Sequence, residues 1–326
     1  MDVQFFAPRA EKLRLTGTKP PSKARAALVI LRSSTHRRRI SSLCAAWVTL
    51  CLAVAASPDL PADPPGRGSW SLFPRAEENV RPKGDGQSGG RESILDSLPL
   101  ERLTPEARQR ILRIAEKPTL YRRLPTQAIG CDREMFLFLT RNPDVMVGMW
   151  DLMGVTKVQS KRLGPYHIEA SDQMGTLCTV DLVYGDSRVH IFVVEGSYDG
   201  KLTPTPIRGQ GVFVLHSNYA LSAEGRTTVS GTLDCFIQLD SLGVDLIVRT
   251  LSPIIGRSAD SNFEQTARFM AQVNEASIRN PPAMLKLADK LPQVTPPLKS
   301  SFAETIVTVA RRGQTLAADR SRTSTR

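Results

Sequence analysis

Histidine is scarce in this 326-residue chain, with four in all, and aromatic residues make up only 6%. The sequence has no H-E-x-x-H, no G-x-S-x-G, no phosphate-binding P-loop and no G-x-G-x-x-G; Gly209-Gln210-Gly211 is read as a loop. Zincin, serine-hydrolase, nucleotide-triphosphate and dinucleotide chemistries therefore lose their usual local signatures. Five cysteines occur without a C-x-x-C or a Cys/His pair at zinc spacing, which removes the structural zinc frameworks. Glycine and proline are clustered and follow no triplet period, so a collagen-like chain is excluded. No cofactor is implied.

The charge is present but misplaced for a nucleic-acid binder. The formal net charge is +11. Ten basic residues against two acidic ones fall between Met1 and Ile40, and six against two fall from Pro297 onward, which leaves the middle of the chain at about −1. A domain that tracks phosphates needs a basic face with interleaved aromatics, so no nucleic-acid partner is expected.

The leading charge belongs with the apolar segment on its C-terminal side. Arg37-Arg38-Arg39 precedes an apolar run from Leu43 to Ala56 that is too short for a relaxed bilayer crossing. Ala53-Val54-Ala55 offers the small-x-small pattern of a signal-peptidase site. Residues 1–56 are read as an export signal cleaved near Ala56, with a single-pass anchor through 43–56 as the alternative, so the protein is expected to be periplasmic or secreted. The membrane enters only through this segment. Cleavage removes Cys44 and Cys51 and leaves Cys131, Cys178 and Cys235, with a 178–235 disulfide and free thiols both open.

Composition divides the rest. Residues 57–93, with Pro58, Pro61, Pro64, Pro65, Gly84, Gly86, Gly89 and Gly90, carry too little apolar surface to offset ordering and read as a disordered linker. Residues 94–130 form a short helical lead-in, with Thr104 capping a helix from Pro105. A core domain spans 131–280, a helical extension 281–313 and a disordered tail 314–326. Within the core, Asp132 caps one short helix, Asn142-Pro143 starts a second, and Val145, Met146, Met149, Trp150 and Met153 cover most of that second helix.

From Thr156 to Thr250 the apolar period changes to two. Strands are expected near 156–163, 166–172, 176–184, 188–196, 211–220, 227–240 and 243–250, divided by turns such as Gly164-Pro165 and Glu224-Gly225. A helix from Asn262 to Ile278 comes next, with Phe263, Ala267, Met270 and Val273 on one side. Ser301 and Glu304 predict a capping box, with Gly313 beyond the helix end. The fold class is α+β: an antiparallel sheet of six to seven strands packed against a long C-terminal helix, with short N-terminal helices.

That order of elements, from Asp132 to Ile278, resembles the helix-grip family of lipid- and polyketide-binding proteins. The resemblance implies a curved sheet wrapped around the C-terminal helix and an apolar ligand held between them, lined by Met149, Trp150, Phe263, Met270 and Val273. Three functions are consistent with these observations. The preferred one is an exported, non-catalytic binding protein for an apolar small molecule, signalled by an open pocket beside the irregular stretch 201–210. The second is a structural or accessory envelope protein with a filled core. The third is a metal-dependent or hydrolytic enzyme that would need His167, His190 and His216 to converge from three strands. Acid pairs such as Asp172 with Glu195 cannot be placed without a fold, so no catalytic residue is nominated.

Overall fold

A computed structural model of the chain describes residues 87–200, 206–240 and 244–323. The segment 1–56 read as an export signal and most of the stretch 57–93 read as a linker lie outside these residues. Among the described residues, no helix is long and apolar enough to cross a membrane.

The chain opens with α1 (Gln87–Ser97) and α2 (Pro105–Ala115), joined through a short 3-10 turn, Leu100–Arg102. Thr104 caps α2 as expected, its hydroxyl accepting from the Ala107 amide at 3.3 Å. Two short strands come next, β1 (Leu120–Arg123) and β2 (Gln127–Ile129). Both pair antiparallel with the last strand of the sheet, and the break between them falls at Pro125, which has no amide hydrogen to donate. The helical lead-in therefore also supplies one edge of the sheet. Both strands are too short to show an alternation, and β1 carries Arg122 and Arg123, a charged edge.

Beyond them lie α3 (Arg133–Arg141) and α4 (Pro143–Leu152), then a meander of β3 (Gln159–Gly164), β4 (His167–Ser171), β5 (Thr176–Gly185), β6 (Val189–Tyr198), β7 (Ile207–Leu221) and β8 (Thr227–Leu239). The sheet order is β1-β8-β7-β6-β5-β4-β3, with β2 also on β8, and all pairings are antiparallel. The six strands expected up to residue 240 are all present. The seventh, expected over 243–250, is not: residues 244–250 belong to α5 (Val244–Arg279), which is far longer than the predicted helix. The apolar alternation that suggested a strand there is a weak prior beside tertiary context.

The two faces of the sheet are both covered. One face, carrying Cys178, Val180, Phe192, Val194, Phe213, Leu215, Leu233 and Cys235, packs under α3, α4, α5 and the C-terminal helices α6 (Pro281–Asp289) and α7 (Pro296–Thr323). The other carries Ile191, Val193, Val212, Val214 and Phe236 and is covered by Ile94 of α1, Leu98 just past its end, and Ile111, Ile114 and Ala115 of α2. This explains why 191–194 and 212–215 read as continuous apolar runs: their residues are buried whichever way they point. Arg110 of α2 fastens that cover by reaching Asp181 at 2.9 Å and Glu195 at 3.2 Å.

The C-terminal region also departs from expectation. The helix starts at Pro296 rather than Ser301 and continues through Gly313 to Thr323, within the stretch read as a tail. Two prolines at its first turn make a start as good as a capping box, and the Ser301 hydroxyl donates instead to the Pro297 carbonyl. Gly313 is no cap; a Cβ there would lie 2.6 Å from Cγ2 of Ile278, so the glycine permits α7 to cross α5 closely. Arg312, counted among the basic tail, is committed to Asp132 and Glu134 at the start of α3.

Candidate functional site

A small void lies between α5 and the sheet. Its wall is made by Phe136 and Thr140 of α3, Phe263, Thr266, Ala267 and Met270 of α5, and Ile129, Leu215 and Leu233 of the sheet. The spacing of the α5 residues is that of one helical face, so a single stripe supplies four of them. The void measures about 10 Å³, room for about one water molecule. A larger concavity, about 580 Å³, is an open groove between Leu100 and Leu103 of the preceding turn and Arg108, Leu112 and Arg113 of α2. It sits on the helices covering the opposite face of the sheet.

Of the five residues expected to line a ligand cavity, Phe263 and Met270 do face the void. Met149, Trp150 and Val273 are instead packed within the closed core, where Trp150 lies against Phe269 with ring centroids 5.4 Å apart. Residues 201–205 of the stretch read as a mouth lie outside the described residues.

Two polar residues of the wall were missed. Thr140 and Thr266 are 1% and 3% exposed, and the hydroxyl oxygen of each is buried without a hydrogen-bond partner. Their signal was present in the sequence: Thr266 falls three residues after Phe263 and four before Met270, inside the apolar stripe, and Thr140 falls one turn after Phe136. A threonine at a core-facing helical position is a polar group that must be accounted for.

The histidines do not converge. His190 pairs with Leu215 across β6 and β7 and so shares the face of the void, whereas His167 and His216 point to the opposite face, beside Asp181 and Asp234. The enzyme reading built on one shared site loses its geometry, and among the described residues no cluster of three metal-ligating side chains exists. Nor do Asp172 and Glu195 form an acid pair: Asp172 accepts amides of its own turn, Met174 and Thr176, and Glu195 accepts from Arg110.

His190 is fully buried, and its Nε2 accepts from Nε of Arg141 at 3.1 Å. Burial first, and the neighbouring guanidinium second, push its pKa down to about 4. With Nε2 accepting, the proton is on Nδ1, which has no partner. Cys178 and Cys235 are free, as is Cys131. They lie on β5 and β8, three strand spacings or roughly 14 Å apart, well beyond disulfide reach. Burial pushes the Cys178 thiol up to about 12, so it is inert as a nucleophile.

No protein family and no curated protein matches this sequence. Among solved structures, the chain is similar to a conserved protein from Geobacillus kaustophilus (10% identity, 45% of this chain and 91% of that one, TM-score 0.28). It is similar also to Ara h 8.0201 (9%, 45% and 99%, TM-score 0.26). A third is a START superfamily protein from Mycobacterium smegmatis (9%, 45% and 98%, TM-score 0.24). At these values the likeness is a partial one of fold and says nothing of ligand or reaction.

Proposed function

We propose that the protein is an exported, non-catalytic binding protein that takes a small apolar molecule between α5 and the sheet. The observation that carries this reading is an apolar void between α5 and the sheet at the helix stripe of Phe263 and Met270, with Thr140 and Thr266, whose buried hydroxyls have no hydrogen-bond partner, among the residues around it. Ligand sites are mostly apolar concavities with a few convergent polar groups that fix orientation. At about 10 Å³ the void is the closed form of such a site. Entry of a ligand displaces side chains, and the wall offers two suited to it: Met270, unbranched and adaptable, and Phe263, which is only partly buried.

Export is part of the same proposal and rests on Arg37-Arg38-Arg39, the apolar run 43–56 and Ala53-Val54-Ala55. N-terminal sequencing of protein from its native host is expected to begin near Ser57; a chain that still starts upstream of Leu43 rejects cleavage.

The size of the void favours a second reading, an accessory envelope protein whose core is filled and whose partner is another protein. Exposed Tyr166, Met174 and Leu221 at hairpin ends are compatible with it. Titration of the full chain with fatty acids, sterols and isoprenoids, read as a thermal shift, separates the two: a saturable rise in unfolding temperature with any of them supports binding, and none supports the filled core.

A further inference from the structure

We propose that the groove between the turn at Leu100 and α2 is a docking site for a segment of this same chain, Trp70-Ser71-Leu72-Phe73, with the side chains of Trp70 and Phe73 on its apolar floor. The inference concerns the outer side of α2 and is independent of the ligand proposed for the opposite face of the sheet.

The groove is made by a leucine that the core does not use. Ile111, Ile114 and Ala115 of α2 are buried against the sheet. Leu112 between them is only half-buried and is packed into neither core. With Leu100 and Leu103 it lines an open groove of about 580 Å³. Arg108 and Arg113 line it too. Whereas Arg110 of the same helix is committed to Asp181 and Glu195, these two make no ion pair among the described residues.

The chain that precedes α1 has matching chemistry. Trp70 and Phe73 are the only aromatic residues between Ser57 and Gly86, and Leu72 lies between them. An aromatic side chain buries about 150–250 Å², so this cluster offers the largest apolar gain in that stretch. Glu77 and Glu78 follow Phe73 closely and complement Arg108 and Arg113. Arg75, between them and Phe73, complements the groove's own carboxylates, Glu101 and Glu116.

Reach and concentration favour this occupant over a separate one. α1 has 11 residues, about 16 Å as a helix, and Leu100 is three residues further on, at most about 11 Å more. The groove therefore begins within about 27 Å of Gln87. Gln87 lies fourteen positions after Phe73, and that length of chain spans up to about 46–50 Å. A tether this short holds the segment near the groove at an effective concentration of about millimolar. A separate partner must instead bind from bulk solution, at the full entropic cost of association.

The test uses the full chain and the fluorescence of Trp70, taken as the difference between wild type and Trp70→Ala so that Trp47 and Trp150 cancel. The reference is a synthetic peptide of residues 66–80. In the folded chain the Trp70 signal is expected to be blue-shifted from that of the peptide and shielded from acrylamide. Leu112→Glu is expected to return both readings to the peptide values, with circular dichroism checking that the domain stays folded. Arg108→Glu with Arg113→Glu, at exposed positions that leave the core untouched, is expected to weaken the shielding, and Glu77→Lys with Glu78→Lys in the same chain to restore it. A Trp70 signal equal to that of the peptide in the wild type overturns the proposal. Shielding that is indifferent to both groove variants places the segment elsewhere and overturns the assignment to this groove. Shielding that disappears on dilution would mean that the groove takes the segment of a second copy, and overturns docking within one chain.

Discussion

Nε of Arg141 donates to Nε2 of His190 across 3.1 Å, tying the last turn of α3 to the middle of the sheet through an imidazole that is held neutral. The same turn supplies Thr140 to the void. The charge state of one buried histidine therefore bears on how firmly the wall of the site is held.

That pair has a pH consequence. The pKa of His190 falls from an ordinary 6.5 to about 4 in the folded protein, so the unfolded chain takes up a proton that the folded one refuses. Stability is fully present above pH 6.5 and is lost as pH falls from 6.5 towards 4, by up to about 3 kcal/mol. Denaturant melts of wild type and His190→Gln at pH 7 and pH 5 check this: the variant is expected to lose distinctly less between the two pH values. Equal losses would mean that other groups set the acid sensitivity.

Ile114 of α2 is fully buried against the sheet face opposite the void. Ile114→Ala is expected to cost about 2–5 kcal/mol, the range for a large-to-small change in a packed core, measured by urea denaturation of the full chain. A change under about 0.5 kcal/mol would show that α1 and α2 are an ornament rather than the second cover of the sheet.

Gly313→Ala places a methyl group 2.6 Å from Cγ2 of Ile278. Helix propensity alone favours alanine by about 1 kcal/mol, while overpacking costs about 1–3 kcal/mol, and the branched Ile278 has little room to yield. A net loss of about 1 kcal/mol is expected. A gain in unfolding temperature would mean that α7 and α5 can separate at no cost.

The legible parts of this fold are those in which a local pattern and the tertiary environment agree. Alternation located β3 to β8 because their flanks are punctuated by Gly164, Gly175 and Gly225, and Thr104 and Asp132 cap α2 and α3 as their chemistry requires. The pattern misled at 244–250, which look like a strand yet continue a helix. Gly313 looks like a stop yet marks a crossing. For the site, the stripe of Phe263 and Met270 was readable from helical spacing. Whether a stripe meets a void or a neighbour depends on contacts distant in sequence, so Met149, Trp150 and Val273 fell into the filled core.

The claim that a ligand sits between α5 and the sheet is tested most directly at Met270. Unfolding temperatures and denaturant midpoints are measured for wild type and Met270→Ala, each with and without fatty acids, sterols and isoprenoids. Where a side chain lines a site that already holds a void, its truncation is expected to cost less than the usual 2–5 kcal/mol of a sealed core and to change the ligand-dependent shift, which the wild type is expected to show. A full loss of about 2–5 kcal/mol in the variant, together with no ligand-dependent shift in the wild type, would contradict the binding account and leave a protein with a closed core.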